Sequence, residues 1–222
     1  MLSRCGAFVR SSIGRKALMA LSGLLLIGFV IAHVAGNLTL YADSQGEHFD
    51  AYAQKLDDFG PLKLLAEVGL LALFTAHIAL GMRTALENRE ARPERYKDLA
   101  PKGQRTWSSM TMIATGAVVL VFLVIHVLDF RLATRDPKGL AAMVVERLSA
   151  PLGAGIYLVG VTLLGVHLWH GFQSLTQTLG LRNARYAPLI KTAGMVVALG
   201  LGAAFATFPI CCFLWHGKWP WN

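Results

Sequence analysis

The sequence predicts an all-α integral membrane protein built from five transmembrane helices. Of its 222 residues, 55% are hydrophobic and only 15% are charged, whereas an average soluble domain carries about 25% charged residues. The apolar residues gather into five stretches, each close to the roughly 20 helical residues that cross a bilayer core. Because these stretches lack a polar face, they suit lipid better than a soluble bundle. We therefore expect residues 1–222 to form a single membrane domain.

The five spans are predicted over residues 17–35, 64–82, 107–128, 150–172 and 192–215. The first follows a basic arm, as a signal peptide does, but it is long and no small-residue cleavage motif follows it. We therefore keep it as a span. The second contains Glu67, the only carboxylate in any of the five. The intervening loops are short enough to hold no more than surface helices.

The loops differ in charge, and this difference predicts the orientation. Fourteen of the 21 Lys and Arg residues lie in the N-terminal arm, the second-to-third loop and the fourth-to-fifth loop. Cytoplasmic loops carry the excess of positive charge, so the N-terminus is expected in the cytoplasm and the C-terminus outside. The net charge of +8 then belongs to a basic cytoplasmic face, and we expect no nucleic-acid partner. The three cysteines form no CxxC motif or disulfide framework.

Four of the seven histidines occur one per span, in the first four spans. With a rise of about 1.5 Å per residue, His33 and His126 fall at one depth near the outer face. His77 and His167 fall at a second depth, in the cytoplasmic half. Two histidine pairs at two depths of a four-helix core are what two bis-histidine haems b require. Single intramembrane histidines could instead bond a neighbouring carbonyl, but four in register favour cofactor ligation.

An internal repeat supports this pairing. In the first and third spans, a histidine follows ten residues after the glycine of Ser22-Gly23 and of Thr115-Gly116, respectively. The second and fourth spans share the pattern His-x-x-x-Gly. Matching spans run in the same direction, which pairs the first with the third and the second with the fourth. The glycines could let a macrocycle lie against the helix, or could equally serve ordinary helix packing.

Four segments resemble the five-helix, two-haem cytochrome b membrane anchor of succinate:quinone oxidoreductases and fumarate reductases. They read SGLLLIGFVIAHVAGNL, FTAHIALGMR, FLVIHVLDFR and LLGVHLWHGFQSLTQTLG. The resemblance spans residues 12–215. Its most specific pieces are H-x-x-D-x-R, with Asp129 and Arg131, and H-x-x-H-G-x-x-S, with His170. The resemblance implies that His33 and His126 hold the distal haem and that His77 and His167 hold the proximal one.

The same resemblance implies partners and a location. A flavoprotein subunit and an iron–sulfur subunit would dock on the cytoplasmic face, in a bacterial inner membrane. Electrons would pass from succinate to the proximal haem and membrane quinone, with menaquinone as our expectation, or in reverse during fumarate reduction. The chain itself would bind neither succinate nor flavin. A higher oligomer of the complex stays an open alternative.

Contacts to quinone and to the haem propionates are predicted less specifically. Glu67 is a candidate proton relay to quinone, or else a carboxylate at the outer interface paired with Lys63. Further candidates for propionate, supporting or quinone contacts are Arg15, Ser22, Arg83, Arg131, His170 and Arg182.

Two alternatives differ from this interpretation. One is a dihaem cytochrome b anchor of another quinone-linked complex, of the hydrogenase or formate dehydrogenase type. The other is a haem-free transporter or scaffold whose histidines bind a metal or relay protons. A b-type spectrum separates the second alternative from the main hypothesis.

Overall fold

The computed structural model describes residues 11–90, 107–181 and 185–215, and the regular structure in these ranges is entirely helical. The helices are α1 (Ser12–Asn37), α2 (Glu47–Asp58), α3 (Pro61–Glu90), α4 (Trp107–Phe130), α5 (Leu140–Ser149), α6 (Pro151–Thr178) and α7 (Ala187–Trp215), and a short 3-10 helix, Leu38–Tyr41, follows α1. The predicted all-α class is confirmed.

Five of these helices, α1, α3, α4, α6 and α7, are long and apolar enough to cross a membrane. This confirms the number and order of the predicted spans, and the chain is a multi-pass membrane protein. The helices run past the predicted ends, and α3 continues to Glu90 although the apolar stretch stops near residue 82. The extension contains Arg, Ala, Leu and Glu, which are strong helix formers. The predicted orientation and the single domain remain predictions.

The two short helices, α2 and α5, lie at one end of the bundle, which we call the outer end after the predicted orientation. Asp50 of α2 accepts hydrogen bonds from the backbone N–H groups of Leu140 and Ala141, at 2.8 and 3.0 Å. A carboxylate in this position caps the first turn of α5 and suits the helix dipole. Gly139 precedes α5 with φ +105°, and a Cβ there would lie 2.1 Å from Asp50 Oδ2. The cap therefore requires glycine and fastens the two outer loops together.

Helix α6 is the centre of the bundle and packs against α1, α4 and α7. Its closest neighbour is α7, where a Cβ on Gly165 would lie 3.4 Å from the Ala198 carbonyl oxygen and 3.5 Å from Gly202 Cα. Small residues at such a crossing let membrane helices pack backbone to backbone. Helix α3 lies at the edge, packs chiefly on α1, and leaves side chains such as Leu65 and Leu71 two-thirds exposed. An exposed apolar face of this kind suits lipid.

The four helices that carry the span histidines are arranged so that adjacent helices pack and diagonal helices do not. Helix α1 packs on α3, and α4 packs on α6. Within the described ranges, α1 and α4 do not pack extensively against each other, and neither do α3 and α6. Side chains from diagonal helices therefore meet across the interior of the bundle.

Candidate functional site

The outer pair of histidines joins the diagonal helices α1 and α4. His33 lies four residues before the end of α1, and His126 four residues before the end of α4. Their ring centroids are 5.7 Å apart, with the ring planes at 84°. The structure therefore brings together the two residues that the sequence assigns to the distal haem.

The inner pair joins the other diagonal helices, α3 and α6. The ring centroids of His77 and His167 are 6.5 Å apart, and their planes meet at 86°. These are the residues that the sequence assigns to the proximal haem. The rings of each pair thus lie close together, while the assignment of these residues as haem ligands remains a prediction.

The spacing within each pair fits one metal ion held between two imidazoles. Metal–imidazole bonds in proteins are about 2 Å long, so two rings facing one ion have centroids about 6 Å apart. The observed distances, 5.7 and 6.5 Å, bracket this value. Among the described residues, no group of three or more His, Cys, Asp or Glu side chains forms a metal site. Two ligands suffice when a porphyrin supplies the other donors, whereas zinc sites need three or four protein ligands.

A hydroxyl group and a glycine from the adjacent helix border each histidine of the inner pair. Ser22 Oγ of α1 lies 3.1 Å from His77 Nδ1, and a Cβ on Gly23 would lie 3.4 Å from His77 Cε1. On the other side, Thr115 Oγ1 of α4 lies 3.4 Å from His167 Nδ1. A Cβ on Gly116 would lie 3.3 Å from His167 Cε1. The repeated Ser/Thr-Gly motif therefore borders the inner histidines, and each glycine keeps space beside a ring.

The outer pair is surrounded mainly by aromatic rings. His33 stacks on Phe29, with centroids 5.5 Å apart, and lies 5.8 Å from Phe205. The ring of His126 contacts those of Phe122, Phe130 and Tyr157, at 5.4 to 6.1 Å. Nδ1 of His126 is buried and has no hydrogen-bond partner among the described residues. A buried polar atom left unpaired costs about 1–3 kcal/mol.

Sequence reasoning missed a polar cluster beside the outer pair. Oδ2 of Asp129 accepts hydrogen bonds from Arg147 Nε at 2.8 Å and from the Tyr157 hydroxyl at 2.9 Å. This Asp129 cluster ties α4, α5 and α6 together one turn beyond His126. Asp129 was visible in the H-x-x-D-x-R motif, but nothing in the sequence indicates that Arg147 and Tyr157 are its partners.

The predicted arginine contacts are engaged in ion pairs. Arg15 and Arg83 both pair with Glu87, at 2.8 and 3.1 Å. The Arg15 contact joins the inner ends of α1 and α3, whereas the Arg83 contact lies within α3. Arg131 makes a two-pronged contact with Glu67, at 2.7 and 3.0 Å. Their predicted contacts to haem propionates or quinone remain predictions. Arg182 lies outside the described residues.

Glu67 and His170 have polar partners within the bundle. Glu67 lies 3.7 Å from Lys63, the pairing that the sequence suggests, but its shorter contact is with Arg131. His170 is buried, stands 3.2 Å from Thr111 Oγ1 through its Nδ1, and lies beside the Trp169 ring. The predicted roles of Glu67 and His170 therefore remain predictions.

Two charged groups at the outer end lie outside the spans and show the expected electrostatics. The backbone N–H and the ring of His48 hydrogen-bond to Asp43 and hold the pKa of that carboxyl well below its usual range. Lys63 and Arg135 likewise lower the pKa of Asp57. These carboxylates are therefore ionised at neutral pH and stabilise the outer loops.

Comparison with known families gave one match. A family described as the succinate dehydrogenase/fumarate reductase transmembrane subunit matches residues 87–202, which is just over half of the chain. The matched region contains α4, α5, α6 and much of α7, and therefore His126 and His167, whereas His33 and His77 precede it. Comparison with curated proteins and with solved structures gave no match.

Proposed function

Because the chain belongs to the family of succinate dehydrogenase/fumarate reductase transmembrane subunits, we propose that it is the dihaem cytochrome b anchor of such a complex. The observation that carries this proposal is the meeting of four histidines in two diagonal pairs, His33 with His126 and His77 with His167. Bis-histidine haem transfers single electrons. The chain would then pass electrons between an iron–sulfur subunit and membrane quinone.

The two pairs are held at different levels by continuous helices. Ser22 borders the inner pair, and His33 of the same helix belongs to the outer pair. These residues are eleven apart, which corresponds to about 16 Å along a helix. Thr115 and His126 give the same separation on α4. Two redox centres at these levels would reach from one half of the bilayer, whose core is about 30 Å thick, into the other.

The remaining interior of the bundle supplies a dry, rigid surrounding. Aromatic rings enclose the outer histidines, and low polarity of this kind keeps water away and tunes the potential of a bound centre. The glycines beside the inner histidines leave room that a larger residue would fill. Each helix of the four-helix core therefore contributes one ligand and part of a cradle.

The proposed partners are a flavoprotein subunit and an iron–sulfur subunit. They would dock on the cytoplasmic face, where most of the Lys and Arg residues are predicted. In this proposal the chain lies in a bacterial inner membrane, and succinate chemistry belongs to the flavoprotein. The quinone, for which we expect menaquinone, would bind near one of the two levels.

The two alternatives explain fewer of these observations. An anchor of the hydrogenase or formate dehydrogenase type accounts for paired histidines but not for the family match. A haem-free metal site would need more protein ligands than two, and none of the described histidines belongs to a group of three or more candidate metal ligands.

Purification of the complex from membranes through an affinity tag on this chain tests the proposal. We expect a flavoprotein and an iron–sulfur protein to copurify, with two haems b per chain by pyridine haemochrome assay. A reduced-minus-oxidised spectrum without a b-type α-band would refute the haem assignment. Copurification of a nickel or molybdenum subunit in place of the flavoprotein would support the alternative anchor.

A further inference from the structure

Ser22 and Thr115 occupy equivalent places in the two halves of the bundle. Each hydroxyl comes from a helix that bears an outer histidine and reaches an inner histidine on the adjacent helix. Each side chain is buried, with 6% and 7% of its surface exposed. Buried hydroxyl groups in membrane helices usually bond only to their own backbone, so the second contact, to an imidazole, needs an explanation.

The hydrogen bonds fix which atom donates. Ser22 Oγ donates its single proton to the Met19 carbonyl oxygen at 2.9 Å. With that bond made, the oxygen is the acceptor in the 3.1 Å contact, and we infer that His77 Nδ1 donates to it.

The same assignment of donor and acceptor applies to Thr115 and His167, on the other side of the bundle. Thr115 Oγ1 shares its proton between the carbonyl oxygens of Thr111 and Met112, at 2.9 and 3.1 Å. It can therefore only accept from His167 Nδ1, at 3.4 Å. A neutral imidazole protonated at Nδ1 has its lone pair on Nε2. Both inner histidines are thus held in the tautomer that offers Nε2 as a ligand.

We propose that Ser22 and Thr115 are positioning residues, which set the tautomer and basicity of the two inner axial ligands. The inference rests on the proposed function, because it concerns the haem held by His77 and His167. An Nδ1–H that donates to an oxygen makes the imidazole a more basic ligand and stabilises the ferric iron. Loss of either hydroxyl therefore raises the potential of the inner haem. Ser22 has the larger effect because its contact is 0.3 Å shorter.

The test is a redox titration of the purified complex, followed by EPR of both ferric haems. Ser22→Ala and Thr115→Val remove a hydroxyl, and Thr115→Ser retains it. Thr162→Val is the matched control, since within the described ranges the Thr162 hydroxyl bonds to the Leu158 carbonyl oxygen of its own helix, at 2.7 Å, and to no imidazole. We expect a higher inner potential in Ser22→Ala, a smaller rise in Thr115→Val, and wild-type values in Thr115→Ser and Thr162→Val. The outer potential stays unchanged in all four.

Unchanged inner potentials and EPR signals in both hydroxyl-free variants would overturn the inference, as would equal shifts at both haems. Loss of only the inner haem in Thr115→Val, with retention in Thr115→Ser, is the stronger form of the expected result. If Ser22→Ala does not accumulate, the two Thr115 variants alone decide. Failure of the proposed function would give a different result, because the wild-type complex itself would then lack two b-type haems.

Discussion

The outer and inner histidine pairs have similar spacing but are held by different forces. The outer rings, His33 and His126, lie among aromatic side chains, and no described residue hydrogen-bonds to His126 Nδ1. The inner rings, His77 and His167, are bordered by hydroxyl groups and glycines of adjacent helices. Packing therefore orients one pair, whereas hydrogen bonds orient the other. We expect the outer pair to respond to changes of shape and the inner pair to changes of polarity and space.

This difference also explains the internal repeat. Helices α1 and α4 each carry an outer ligand and, eleven residues earlier, a Ser/Thr-Gly motif that serves the inner pair. Such a step exceeds three helical turns by only about 20°, so both features lie on one face. Each of these helices thus supports both levels, and the spacing of the levels follows from helix geometry.

Filling the space beside an inner ring has the largest expected effect. In Gly116→Val, the Cβ would lie 3.3 Å from His167 Cε1, and the branched carbons would occupy the volume beside the ring. We expect the inner haem to be lost and the outer haem to remain, as measured by haem content and redox titration. Gly69→Ala is the control, because within the described residues nothing outside its own stretch of helix lies within 4 Å of its Cβ. Retention of both haems in Gly116→Val would show that this glycine serves only helix packing.

Breaking the Asp129 cluster has a moderate effect, confined to the outer pair. Asp129→Ala leaves the Tyr157 hydroxyl and Arg147 without their shared acceptor. We expect a destabilisation of about 1–3 kcal/mol, with release of the outer haem at a lower temperature than the inner one. Tyr157→Phe removes one of the two hydrogen bonds and should cost about 1 kcal/mol. Equal loss of both haems on heating would contradict the separate supports of the two pairs.

Acid should weaken the outer end of the bundle. The hydrogen bond from Lys63, together with Arg135, lowers the pKa of Asp57 in the folded state, while the unfolded value is about 3.9. The stabilisation is therefore present above about pH 4 and is lost as the pH falls through the lower folded pKa. Thermal unfolding across this range should show an acid-side loss that is reduced in Asp57→Asn. Identical pH profiles would mean that the carboxyl contributes nothing to stability.

Removing the charge of Glu67 has the smallest expected effect. Its contacts with Arg131 and Lys63 are partly exposed, and exposed ion pairs contribute about 0–1 kcal/mol. In Glu67→Gln we expect nearly unchanged thermal stability, unchanged haem potentials and unchanged quinone reduction. A large fall in quinone turnover with intact haems would instead identify Glu67 as the proton relay that the sequence also allows.

Periodicity and depth were sufficient to predict the spans and the way in which the histidines meet. Each span is a continuous apolar helix, so residue counts translate directly into height, and His33 falls level with His126. The partners of Asp129 could not be predicted in this way, because Arg147 comes from a short helix outside the spans. The partners of Glu67 were likewise only partly predictable from the sequence. Its neighbour in sequence, Lys63, was evident, but its closer partner, Arg131, directly follows the C-terminal end of α4.

The most direct test of the two-pair arrangement is the haem content of four single variants, with the surviving haem identified by its potential. We expect two haems per chain in the wild type and one in each histidine-to-alanine variant. His33→Ala and His126→Ala should retain the same haem, and His77→Ala and His167→Ala should retain the other. Loss of one and the same haem from His33→Ala and His77→Ala would contradict the pairing and, with it, the two-level account of this protein.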